Sequence, residues 1–113
     1  MSSLRPTLKD ADPRTPCMSN GTAYLMILNA VQTQPGLLHG KLETSKGEYC
    51  AIGSYFHVNK GTCLPDTLIN EVAAVNDSVP TLSPRRRKLH MLRWLRWKLV
   101  SVGMPGYARA KKP

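Results

Sequence analysis

The chain has 113 residues, with 16 Lys and Arg against 7 Asp and Glu, and a net charge of +9. That length suits one small domain around a single modest core. No apolar run approaches the ~18–20 residues that span a bilayer, three cysteines at ordinary density imply no disulfide framework, and no glycine run has phosphate-loop spacing.

The charge is strongly segregated. Residues 1–83 hold six basic and seven acidic groups, a net −1, whereas residues 84–113 hold ten basic groups and no acidic one, a net +10. Such a field draws phosphates, acidic membranes and acidic proteins alike, within a range of roughly 8–10 Å at ordinary salt. The odd cysteine count and the lack of a signal-peptide pattern point to a reducing, cytoplasmic setting.

Residues 1–17 are polar and proline-rich without a period, and read as a mobile arm. Met18-Ser19-Asn20-Gly21 is itself a plausible translation start, which would make the arm an optional extension. Residues 22–32 are apolar on nearly all sides, capped by Ser19 or Asn20 and closed by Pro35-Gly36, and predict a buried helix. Residues 33–48 carry Gly36, Gly40 and Gly47, and suit a loop or short β-hairpin turning at Ser45-Lys46-Gly47. Residues 48–58 predict a second helix, with Tyr49, Ile52 and Phe56 on one side and Gly53 open to close backbone approach; the alternative is a strand pairing with residues 41–44. After a turn at 59–62, residues 65–75 predict a helix with Leu68, Val72 and Val75 inward, broken by Asn76-Asp77-Ser78. Residues 79–82 link it to the last helix.

That helix, residues 83–102, dominates the reading. Ser83 supplies a cap, Pro84 suits the first turn, and Gly103 supplies the stop. At about 100° per residue, Met91, Leu92, Leu95, Leu99 and Val102 share one stripe, the side that packs on a core. Arg86, His90, Arg93 and Trp97 share the opposite side with Trp94 close by; Arg85 and Arg96 edge the stripe on one flank, Arg87 and Lys98 on the other. Protonation of His90 would add to anion binding at lower pH. Tryptophans among arginines can stack on bases, sit at a lipid headgroup layer or anchor a protein partner. The tail from residue 103 extends the positive charge and reads as disordered.

Gly47, Cys50-Ala51-Ile52-Gly53, Asn76-Asp77 and Thr81 together resemble the pattern of an uncharacterised family of small bacterial and phage proteins. Members carry a Cys-Ala-Leu-Gly stretch after a glycine, a helix ending in Asn-Asp, then a Thr and a closing helix. The likeness covers about residues 36–95, and it departs from the pattern at Ile52, where the family has leucine, and in the length and basicity of the closing helix. It implies a helical fold and a bacterial or phage source, and supplies no reaction.

Chemistry-bearing residues do not gather. Cys50 and His57 are seven apart, about 10 Å along a helix axis and beyond hydrogen-bond reach. Cys17, Cys50, Cys63 and the three histidines lack paired zinc-ligand spacing, and the scarce carboxylates form no acid pair. The expectation is a mainly α protein: an arm at 1–17, one helical domain of three to four helices at 18–102, and a basic tail at 103–113. It would be non-enzymatic, with no cofactor and no metal, and would contact nucleic acid phosphates through Arg85, Arg86, Arg87, His90, Arg93, Trp94, Arg96 and Trp97. The alternatives are an acidic protein partner, as for a phage inhibitor in host cytoplasm, or an anionic membrane surface.

Overall fold

The computed structural model describes residues 18–59 and 63–104. Among them lie four helices, α1 (Asn20–Gln32), α2 (Ala51–Val58), α3 (Asp66–Asn76) and α4 (Pro84–Ser101). The expected mobile arm with its alternative start, most of the turn at 59–62, and the tail beyond residue 104 fall outside the described residues. Helix α1 packs on α2 and α4, and α3 packs on α2 and α4, so the four close into a ring around one core.

Helix α1 forms where the apolar run predicts it. The Ser19 hydroxyl accepts from the Thr22 N–H at 3.3 Å, and Thr33 closes the far end by donating to the Ala30 carbonyl. Ala23, Tyr24, Ile27, Leu28, Ala30 and Val31 are all buried, while Thr22, Asn29 and Gln32 stay exposed on the other side. Full burial of each of Ile27, Leu28 and Val31 contributes about 1.5–3 kcal/mol.

The helix reading of the second apolar segment holds from residue 51, and the pairing with residues 41–44 is reduced to one bridge before it. Glu43 and Tyr49 form an antiparallel bridge, Thr44 N–H donates to the Glu48 carbonyl, and Cys50 N–H donates to the Leu42 carbonyl. Gly47 turns this small loop at φ 79. The helix then starts at Ala51 rather than at Glu48, with the buried Cys50 sulfur accepting from Gly53 N–H at 3.3 Å. Gly53 lies against Leu42, and an added Cβ would overlap the Leu42 carbonyl oxygen. Tyr55, which the helical side drawn through Tyr49, Ile52 and Phe56 left out, is completely buried. The first five residues of α2, Ala51 to Tyr55, are all buried, and its end is exposed.

Helix α3 buries Leu68, Ile69 and Val72, and then Asn76, which is 1% exposed. Asn76 does not break the helix; it ends it and joins it to everything nearby. Its Oδ1 accepts from the Ala51 N–H at the start of α2 (3.1 Å), and its Nδ2 donates to the Leu38 carbonyl and to Asp77 Oδ1, both at 2.7 Å. Asp77 in turn accepts from the Gly40 N–H at 2.9 Å.

Helix α4 starts as expected, with Ser83 accepting from Arg86 N–H at 3.3 Å and Pro84 in the first turn. It closes with Gly103 at φ 75, Gly103 N–H donating to the Val100 carbonyl and Met104 N–H to the Leu99 carbonyl. Val102 is therefore the cap and not part of the core stripe, and is 44% exposed.

Replacing Asn76 by alanine strands the Ala51 N–H and the Leu38 carbonyl in a buried site. Asn76→Ala is expected to lower the unfolding free energy by about 2–4 kcal/mol in urea titrations. Asn70→Ala, on the exposed side of the same helix, should change it by less than about 0.5 kcal/mol.

Candidate nucleic-acid interface

The inward sector of α4 is wider than its leucine stripe. Met91, Leu92, Leu95 and Leu99 are buried, and the flank that carries Arg87, Trp94 and Lys98 is turned inward beside them. Arg87 is 1% exposed. Its Nη1 donates to the Asn76 carbonyl at 2.6 Å, and its Nη2 to the Leu82 and Pro80 carbonyls at 3.2 and 3.4 Å, while its Nε is buried without a hydrogen-bond partner. The planar guanidinium suits this set of carbonyls, and the carbonyl end of α3 carries partial negative charge. Arg87 is thus withdrawn from the expected anion-binding set, because the chain's own backbone occupies it.

The tryptophans are also engaged. The ammonium of Lys98 sits 5.6, 5.5 and 5.4 Å from the ring centroids of Tyr24, Trp94 and Trp97. Glu71 completes the enclosure: its carboxylate lies 3.0 Å from Lys98 Nζ and accepts a hydrogen bond from the Tyr24 hydroxyl. Tyr24 and Trp94 meet edge to face at 5.9 Å. Trp94 therefore packs on the core, and Trp97 is half-buried beside the same lysine. Neither indole stands free over the arginines as a stacking platform. Lys98, placed from the sequence on a flank, is the centre of this cluster; its one legible signal was its position one turn from Trp94 and next to Trp97.

Four arginines remain. Arg85, Arg86 and Arg93 are exposed and Arg96 is half-exposed. Among the described residues none of the four forms an ion pair with a carboxylate. His90 lies between Arg86 and Arg93, half-buried, with Nε2 at 3.4 Å from the Ser78 hydroxyl. These side chains border an open pocket of about 370 Å³, lined by Val79 and Leu82 from the linker and by Arg86, Leu89, His90 and Arg93 from α4. Leu89 is 52% exposed. It falls about 120° from Leu95 around the helix, a position that marks it as outside the core stripe. A second cleft, near the start of α4, is lined by Pro35, Leu37, Ser83 and Arg85 but also by Glu48, whose carboxylate opposes an anion.

Cys50 and His57 are engaged with separate partners. Burial pushes the Cys50 thiol above its ordinary pKa, against the lesser pull of hydrogen bonds from nearby backbone N–H groups. His57 instead stacks on Tyr49 and shares a 3.0 Å hydrogen bond with its hydroxyl. Among the described residues no three His, Cys, Asp or Glu side chains lie where they could hold a metal ion, and no helix is long and apolar enough to cross a membrane.

The fold and this surface define a small helical domain with one arginine-lined face. No protein-family model, curated protein or solved structure matches the chain. The likeness drawn from Cys50-Ala51-Ile52-Gly53 and Asn76-Asp77 therefore rests on those residues alone, and in the structure they do architectural work: a cap, a close packing and the hub at Asn76.

Two measurements separate the buried from the exposed cations. Arg87→Met should destabilise the fold by about 2–4 kcal/mol, because three carbonyls lose a donor, whereas Arg86→Gln and Arg93→Gln should stay within about 0.5 kcal/mol of the parent in urea unfolding. Burial, then the hydrogen bond to and the charge of Glu71, push the Tyr24 hydroxyl well above the ordinary phenol value of 10.0. A raised folded-state pKa means that this contribution is complete below pH 10 and is lost as pH rises above it. Urea midpoints measured from about pH 9 to about pH 11 should fall more steeply for the parent than for Tyr24→Phe.

Proposed function

We propose that the chain is a non-enzymatic binding protein that holds nucleic acid on the outward face of α4, by contact with backbone phosphates and without reading base sequence. The observation that carries this reading is the set of four arginines, Arg85, Arg86, Arg93 and Arg96, on one face with no carboxylate paired to any of them among the described residues. Guanidinium forks match phosphate oxygens, and a net charge of +9 raises the local concentration of any polyanion. Phosphate contacts position a strand but carry no sequence information.

The four arginines act with His90 beside them. Arg87 is left out because it is buried, and Trp94 and Trp97 act through Lys98 as support for the face rather than by stacking on bases. Cytoplasmic placement, in a bacterium or in the host of a phage, belongs to the same proposal.

The test is a salt titration of binding. Four phosphate contacts predict a slope of log affinity against log salt of about −3.6 on duplex DNA, before any contribution from residues 105–113. Arg93→Gln should make the slope shallower by about 1. A flat plot, or no binding at low salt, overturns the proposal. A partner then captured from nuclease-treated lysate and resistant to salt would put an acidic protein in its place.

A further inference from the structure

We propose that the pocket between Arg86 and Arg93 receives one unpaired nucleotide, so that the chain prefers single strands or strand ends to intact duplex. The inference rests on the nucleic-acid reading and goes further by naming the form of the strand.

Arg86 and Arg93 stand seven residues apart, about 10 Å along the helix axis. Two guanidiniums at that separation can each take one of the phosphates that flank a nucleotide. Between them stand His90 and, beside it, an apolar group. Leu89 is 52% exposed and Val79 is 37% exposed, with Leu82 beside them, and together they give an apolar floor to an open pocket of about 370 Å³. A surface that only tracked phosphates would have no use for such a floor. In a duplex the base faces are stacked inside and only their edges reach the grooves. A single strand presents those faces, and they bind apolar side chains and the planes of arginines in any sequence.

The surroundings favour an anionic occupant. No carboxylate lines the pocket. Asp77, close by in sequence, is held by the Gly40 N–H and by the Asn76 amide. The Ser78 hydroxyl donates to the Val75 carbonyl and keeps its oxygen toward His90 as an acceptor. Because Trp94 and Trp97 surround Lys98, contact with a base falls to the floor of the pocket.

The test compares three probes of equal phosphate count on the full chain at one low salt concentration: a homopyrimidine single strand, the same strand without its bases, and a blunt duplex. The base-bearing strand should bind more tightly than the abasic strand by roughly 5-fold or more, and more tightly per phosphate than the duplex. Leu89→Ser, a substitution at an exposed position, should abolish the difference between base-bearing and abasic strands while leaving the salt slope and the duplex affinity unchanged. Equal binding of base-bearing and abasic strands, or a Leu89→Ser protein that discriminates as the parent does, overturns the inference and leaves the phosphate reading standing. Failure of all three probes to bind overturns both.

Discussion

The side chain of Asn76 holds this fold together. It lies at the end of α3, almost wholly buried, and its three hydrogen bonds reach the first turn of α2, the loop at Leu38 and the carboxylate of Asp77. Its own carbonyl receives the guanidinium of Arg87 from α4. A carboxamide is suited to this place because it accepts and donates at once without charge. Each group it meets is a backbone or side-chain polar atom that water cannot reach freely, so leaving any of them unmade would cost more than the net gain from making it. Three helices and one loop are thereby fixed relative to each other by a single residue.

The position of α4 follows from the same logic of satisfied carbonyls. Four consecutive cations, Arg85 to Lys88, follow Pro84 at its start, where the helix dipole disfavours positive charge. Two of them are placed at the carbonyl ends of other helices. Arg87 meets the end of α3, and Lys88 Nζ donates to the Gln32 carbonyl at the end of α1 at 3.3 Å. The favourable field at those two ends offsets the unfavourable field at the start of α4. Farther along, Lys98 is neutralised by Glu71 among three aromatic rings. The cations of α4 therefore divide into a structural group on one flank and an uncompensated group on the other.

Much of this could be read from the sequence, and the failures have a common cause. Helices α1 and α4 were legible because serine caps and apolar periods are local signals. The start of α2 was misplaced by three residues because residues 48–50 are held by the loop at 42–44, a partner the period of the run does not reveal. Asn76 read as a breaker, since asparagine ends helices in most short patterns; its burial depends on Ala51 and Leu38, 25 and 38 residues away. In the run from Arg85 to Lys88 composition treats every cation alike. Arg87 differs only in standing one turn before Met91, on the side of the core. Lys98 and Glu71 come together only through the packing of α3 beside α4.

The division of charge on α4 also links its stability to its proposed role. Arg86, Arg93 and Arg96 lie at spacings of seven and three residues, with Arg85 and His90 between their rows, so like charges repel along the exposed side. The core stripe and the carbonyl contacts of Arg87 and Lys88 hold the helix in place against that repulsion. An anion seated across the arginines removes the repulsion and leaves the inward contacts untouched. Binding must then stabilise the folded state, because whatever binds the folded chain alone shifts the equilibrium toward it. The residues that hold the helix and the residues that would hold the ligand are different side chains on different sides, so the face can carry uncompensated charge without resting the fold upon it.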